Sequence, residues 1–421
     1  MVGSGVFLLP ASLAPYGGLS IAGWLMSTAG AMACALVFAW LARELPREGG
    51  PYAYTRAAFG DLPAFLVAWG YWISICAGNA AIAVAFAGYL GFFAPLLAAH
   101  PAAGALAAVL AVWLLTWVNH LGVREAGAVQ VTTTVLKLAP LLAVGTIGLA
   151  SAQWRHLAPT IPPGSSLPGA VAATAALTLW AFLGLESATI PADEVRDPER
   201  TIPRATLLGT AVAALVYMAS TTAVMGVLSP GAAAASTAPF ADAAARMSGG
   251  WAARAVAAGA AVSCFGALNG WVLLQGRLPL AVAADGLFPA LFARRSARGT
   301  PTAALVLSSA VVTLIVGANY TRGLVRAFTF LILLSTIATL VAYAFSGAAL
   351  LVLTRRRRAP TAGRTIIAIL ALAFAAGAML AAGPEALLWG CALLAAGVPV
   401  YAGVRRRAHT RRDRSRTHAL T

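Results

Sequence analysis

One carboxylate and one ammonium group in this chain lie inside stretches that are otherwise apolar. Glu186 sits in LTLWAFLGLESATIP, and Lys137, the only lysine, sits in TTTVLKLAPLL. An ionisable side chain held away from water costs several kcal/mol, so it marks a functional position unless a structural duty explains it. A carboxylate in partly dry surroundings can take up and release a proton as those surroundings change. Glu186 therefore reads as a gate or proton-sensing group, the alternative being a structural carboxylate that caps unwound backbone. Lys137 has about twelve apolar or small residues on either side, too many for its charge to reach a polar edge easily by snorkelling. It can release a proton, or set a positive charge against backbone carbonyls where another protein would bind a cation. Snorkelling remains the plain alternative.

Two glycine-interrupted segments accompany these charges. One is GSGVFLLPAS, Gly3 to Ser12; the other runs from Trp180 to Pro191 and puts Gly184 beside Glu186. Each has a proline seven residues past a glycine, Pro10 after Gly3 and Pro191 after Gly184. Glycine lets helical backbone come free where neighbouring protein can satisfy it. The start of the resumed helix then offers bare N–H groups and positive dipole to an anion. Paired broken helices point to a transport site at mid-membrane, whereas close helix packing is the other use of such glycines. Within apolar runs stand further polar and aromatic groups: Asn79, Trp180, Trp271, Ser335 and Tyr343. A tryptophan face can hold a cation or an apolar stem, and a buried amide demands a partner. Each of them taken alone also suits plain helix packing.

The elements that must position these groups are membrane helices. The chain is 60% hydrophobic and only 10% charged, with mean hydropathy +0.82; soluble domains carry roughly 25% charged residues. Spans of about 20 apolar residues are needed to cross the hydrocarbon. Eleven such spans are expected, at 19–42, 63–92, 103–119, 126–150, 168–190, 205–228, 252–276, 302–318, 326–353, 365–382 and 386–404. The opening stretch, Val2 to Leu13, would be only ~18 Å long as a helix and reads as the second half of a first helix whose front half is missing. It lacks the charged start of a signal peptide. The last two spans hold no polar residue deep inside and are expected to be peripheral. Residues 1–404 thus form one transmembrane domain of about twelve helices, followed by a basic tail at 405–421.

Arginine bias sets the orientation. Twenty-three of the 28 arginines fall in one alternating set of loops and in the tail, and five in the opposite set. The arginine-rich side and the C-terminus are expected to be cytoplasmic. The net charge of +16 is accordingly a matter of topology and anionic lipid contact, not of nucleic acid. The four cysteines, Cys34, Cys76, Cys264 and Cys391, read as small buried hydrophobes with no metal or redox spacing. No HExxH motif, paired intramembrane aspartates, Ser/His pair or phosphate loop occurs, so an enzyme, a cofactor or ATP-driven transport is not expected.

The segments GSGVFLLPA, GGPYAYTRAAFG, TLWAFLGLESA, VRDPERTIPRA and AADGLFP resemble the amino acid–polyamine–organocation superfamily, and within it the basic amino acid/polyamine antiporters, which exchange substrates such as arginine and agmatine. The resemblance implies an all-α, leucine-transporter-like fold of 5+5 inverted repeats plus two peripheral helices, with a homodimer as the assembly. It implies a carboxylate clasp at Gly3, Ser4 and Gly5, and receipt of the substrate amino group by carbonyls around Trp180 and Leu183. It implies side-chain contacts from Asn79, Trp180, Trp271 and Ser335, with Ile82 where the antiporters carry methionine. Tyr71, Glu186 and Tyr343 match gating and proton-sensing positions. Lys137 departs from the antiporters and resembles a feature of proton-coupled, broad-specificity relatives. The expected function is secondary transport of amino acids, cationic or broad in range, by exchange or proton symport in a cell membrane. A channel or an amino-acid-binding sensor is the alternative, although the short loops leave no soluble sensor domain.

Overall fold

The computed structural model describes residues 3, 5–320, 324–356 and 361–418, with side chains given outside 98, 319–334 and 407–418. Every regular element among them is helical. In chain order these are α1 (Gly5–Leu13), α2 (Leu19–Glu44), α3 (Pro51–Phe59), α4 (Asp61–Gly91), α5 (Pro95–Ala99), α6 (Pro101–Leu121), α7 (Val123–Ala150), α8 (Leu167–Leu179), α9 (Pro198–Val227), α10 (Pro230–Ala235), α11 (Pro239–Ser248), α12 (Gly250–Ala284), α13 (Thr302–Tyr320), α14 (Leu324–Arg356), α15 (Ala362–Ala381) and α16 (Pro384–His418). Ten helices among the described residues are long and apolar enough to cross a membrane. The expected spans lie on these helices and on the shorter apolar helix α13. The protein is a multi-pass membrane protein.

Local chemistry sets the helix ends. Proline opens α3, α6, α9 and α11, where its fixed φ suits the first turn and its missing N–H has no partner to lose. Ser166 caps α8 by accepting from the Gly169 N–H at 3.2 Å. The 35 residues of α12 would extend ~52 Å at helical rise, well beyond ~30 Å of hydrocarbon, so α12 tilts or projects beyond the bilayer.

Two apolar cores organise the bundle. One joins α1, α2, α8, α9 and α11 and includes Phe182, Leu185 and Tyr343. The other joins α4, α6, α12 and α13 and includes Tyr71 and Ile190. The segment after α8 runs from the first core to the second. The most apolar windows of α15 and α16 are only 17% and 11% buried, against 61% for Ser335–Arg356, which makes both helices peripheral as expected. α16 also continues past Arg405 into the basic tail. One cysteine differs from expectation. Cys34, Cys76 and Cys264 are buried, but Cys391 is exposed, because α16 packs along one side only and turns that position outward.

Candidate substrate site

The break that positions the site begins where α8 ends. A short 3-10 turn covers Trp180–Phe182, and Leu183 is extended at φ −62°, ψ 136°. Gly184 follows at φ +100°, a conformation that costs a side-chain-bearing residue ~1–3 kcal/mol and that glycine takes freely. Further 3-10 turns at Ser187–Thr189 and Ala192–Glu194 carry the chain onward. Phe182 anchors the near side of the break edge-on against Trp24 (5.9 Å between centroids) and Tyr217 (6.1 Å).

A cavity lies beside this break. Gly3 and Gly5 from the first segment and Trp180 and Leu183 from the second line it. The indole of Trp180 rests against Gly5, where a Cβ would fall 2.3 Å from its Nε1. Trp271 closes another wall and leans on Gly184, where a Cβ would stand 3.0 Å from its ring. Three helices add one residue per turn: Ser74, Gly78 and Ile82 from α4, Ala267 and Trp271 from α12, and Ser335 and Thr339 from α14. No charged side chain lines the cavity among the described residues. Its polar surface is hydroxyls, indole N–H and freed backbone, set among aromatic and small apolar groups.

Of the residues expected from the sequence, Gly3, Gly5, Ile82, Trp180, Leu183, Trp271 and Ser335 are thus brought together. Ser4 lies outside the described residues. Asn79 is fully buried but is not on the cavity wall; it donates to Gln275 Oε1 at 2.7 Å. Ser74, Gly78, Thr339 and Tyr217 line the cavity and were not foreseen. The four-residue spacing of Ser74, Gly78 and Ile82, and of Ser335 and Thr339, is the signal that would have found all but Tyr217, since such residues share one helix face. Ser74 is bonded to Ser335 Oγ at 3.1 Å and to Thr339 Oγ1 at 2.9 Å, which holds α4 and α14 together at the cavity.

Glu186, Tyr71 and Tyr343 meet just beyond it, all three fully buried or nearly so. Tyr71 donates to one carboxylate oxygen of Glu186 and Tyr343 to the other. The Tyr343 hydroxyl also accepts from the Gly184 N–H at 3.1 Å, so the phenol satisfies backbone that the break set free. Lys137 is 3% exposed and borders a second cavity with Ser187 and Pro191 of the broken segment and with Trp271, which faces both cavities. It does not reach out to a helix end.

The far end of the broken segment is clasped. The Gly49 N–H donates to the Ile190 carbonyl at 2.9 Å. Arg277, 1% exposed, lies 2.5 Å from Glu194 and 4.0 Å from Glu48, and Glu48 also meets Arg295 at 3.2 Å. Burial pushes the Glu48 carboxyl above its usual range, and Arg277 and Arg295 pull against that shift without cancelling it. Beside this cluster, Asp285 of the AADGLFP segment accepts from Tyr52 at 2.8 Å and pairs with Arg56 at 2.6 Å. Sequence reading had counted these arginines as topology markers only.

A helix broken around a cavity with no charged lining among the described residues, with a carboxylate held by two phenols behind it, fits the class of secondary transporters that work by alternating access. Comparison with known proteins agrees. The amino acid permease family profile matches residues 1–391, and the chain belongs to that family. It is 37% identical over 317 residues to the cadaverine/lysine antiporter of Escherichia coli K12, covering 74% of this chain and 70% of the relative. It is 32% identical over 413 residues to the putrescine transporter PotE of Haemophilus influenzae, covering 95% and 93%. The Escherichia coli K12 putrescine transporter PotE is 31% identical over 412 residues, covering 95% and 92%. The chain is therefore a secondary transporter and not an enzyme, and nothing in these comparisons favours a sensor.

Proposed function

We propose that this permease exchanges a cationic amino acid for a diamine, as the names of its relatives suggest, across a cell membrane with its C-terminus in the cytoplasm. The observation that carries this reading is the pair of indoles, Trp180 and Trp271, on the walls of a cavity with no charged lining among the described residues. Their faces attract an ammonium or guanidinium group and cover its apolar stem without holding it as a fixed counter-ion would. Such a site can release its cargo on either side.

In this reading freed backbone at Gly3 and Gly5, with Ser4, receives the α-carboxylate, and carbonyls at Trp180 and Leu183 receive the α-amino group. Ile82 and Ser335, both on the cavity wall, meet the rest of the side chain. Tyr71, Glu186 and Tyr343 form the gate whose rearrangement opens the cavity to one side. A second reading, proton-coupled uptake of a wider range of amino acids, has one observation in its favour: Lys137, 3% exposed, lines a cavity together with the broken segment and Trp271.

Equilibrium binding to the purified protein separates cationic from broad specificity. Lysine and cadaverine should displace one another, and leucine should compete only at concentrations about tenfold or more higher, the ratio that 1.4 kcal/mol provides. Equal competition by leucine would sink the cationic reading.

A further inference from the structure

The basic end of α16 is tied to the rest of the bundle by the guanidinium of Arg405. Its Nε donates to the Tyr401 hydroxyl at 3.0 Å, its charge lies 5.5 Å from the centre of the Tyr401 ring, and its Nη2 meets Asp61 Oδ2 at 3.1 Å. Asp61 opens α4, and its other oxygen takes Arg56 Nε of α3 at 3.0 Å. Arg56 reaches further, with Nη1 2.6 Å from Asp285 at the end of α12, and Asp285 also accepts from Tyr52 at 2.8 Å. One guanidinium, that of Arg56, is thus divided between two carboxylates. Among the described residues only Asp61 has a second arginine.

The four charged side chains are 31–50% exposed. Pairs so open to water hold weakly, so partners can be exchanged. The membrane-length part of α16 ends at Arg406, which puts Arg405 at the membrane surface, one turn past an aromatic ring of the kind that marks that level. The helix continues to His418, and residues 405–418 carry seven arginines and one aspartate. A basic segment directly past a membrane span is drawn to anionic lipid headgroups. A headgroup phosphate binds a guanidinium as a carboxylate does, so it competes with Asp61 for Arg405. Once Arg405 leaves, Asp61 draws Arg56 to itself and Asp285 loses its share. Asp285 ends the helix that carries Trp271 and Arg277, so a loosened end bears on both the cavity wall and the clasp.

We propose that the basic end of α16 is a docking surface for anionic lipid, and that Arg405, Asp61 and Arg56 relay its occupancy to the end of α12. Anionic headgroups take Arg405, Arg56 moves from Asp285 to Asp61, and the arginine-rich side opens more readily. The relay is independent of which substrate the cavity holds.

The test is the rate at which an uncharged, impermeant thiol reagent labels the full chain carrying Ser187→Cys and Cys391→Ser. The protein is held in nanodiscs of phosphatidylcholine, alone or mixed with phosphatidylglycerol. This parent should label about fivefold faster in the anionic discs, the factor that ~1 kcal/mol for one arginine at such a surface provides. Arg405→Gln should label fast in both discs, because Asp61 then claims Arg56 without lipid. Asp61→Asn should label slowly in both, because Arg56 then stays on Asp285. Arg405→Lys keeps the charge and should follow the parent. Glutamine at Arg411, Arg412, Arg414 and Arg416 should weaken the lipid response with the ion pairs intact, and serves if Arg405→Gln does not fold. Equal parent rates in the two discs would overturn the proposal. Arg405→Gln and Asp61→Asn shifted in the same direction would overturn the relay, as the mark of a structural contact. Glycerol phosphate that reproduces the anionic rate in neutral discs would make the ligand a free phosphate and overturn the docking surface.

Discussion

Tyr71 and Tyr343 belong to different apolar cores and donate to the two oxygens of one carboxylate, that of Glu186. α4 carries the first and α14 the second, while Glu186 rides on the broken segment between them. The three groups therefore tie the broken segment to both parts of the bundle at once. The two phenols are not equivalent. Tyr343 also takes the Gly184 N–H, so Tyr343→Phe leaves a buried N–H and half a carboxylate without partners, whereas Tyr71→Phe leaves only the latter. Each orphaned group costs ~1–3 kcal/mol. Thermal unfolding in detergent should show the larger loss for Tyr343→Phe; equal losses would contradict this asymmetry.

Gly184 is required for its backbone and for the space above it. An alanine there must adopt φ near +100° and press its Cβ to 3.0 Å from the Trp271 ring. The strain is ~1–3 kcal/mol, and the simplest relief moves Trp271. Gly184→Ala should weaken substrate binding about tenfold or more, by the 1.4 kcal/mol rule, and shift the indole fluorescence. Gly5→Ala presses on Trp180 instead and should do the same. Unaltered fluorescence with unaltered affinity in both would show that the indoles do not depend on these glycines.

The clasp at Arg277 should hold the arginine-rich side shut. Removing a buried partner leaves uncompensated charge, typically at ~3–5 kcal/mol. Arg277→Ala should thus destabilise the protein, and Glu194→Gln together with Glu48→Gln should restore part of the loss. Glu194→Gln alone should raise the labelling rate of a cysteine placed at Ser187 by an impermeant thiol reagent from the arginine-rich side, in a Cys391→Ser background. An unchanged rate would remove the clasp from gating.

Glu48 gives that clasp a pH dependence of known sign. Its carboxyl is held above the usual range, so the clasped form binds the proton more tightly than a form in which Glu48 is wet. The clasp is strongest at low pH and loses strength as pH rises from the ordinary value of about 4.3 through the raised one. The same labelling rate should climb with pH across that window in wild type, and Glu48→Gln should flatten the curve.

Lys137 separates exchange from symport. Under proton coupling, Lys137→Ala abolishes the pH dependence of uptake; under pure exchange, the mutant keeps the wild-type profile. A folded mutant with wild-type pH dependence leaves the lysine a structural part.

The helices were legible because an apolar run of membrane length has one outcome, and the break was legible because Gly184 stands beside Glu186. Trp180, Trp271 and Ser335 were grouped by the family resemblance, not by their own spacing. What sequence spacing concealed was tertiary. Tyr71 and Glu186 are 115 residues apart and Tyr343 and Glu186 157, and only the resemblance grouped the three. Arg277 looked like one more cytoplasmic arginine because its partners, Glu48 and Glu194, lie in separate loops. Asn79 was expected on the cavity wall, but nothing local reveals that Gln275 engages its nitrogen.

Counterflow in proteoliposomes tests the central claim most directly. Vesicles preloaded with lysine should accumulate labelled lysine and cadaverine, and empty vesicles should not, with or without an inward proton gradient. Gradient-driven uptake into empty vesicles would contradict exchange and establish symport. Absence of uptake under every condition by folded, substrate-binding protein would contradict the transport cycle derived from this site.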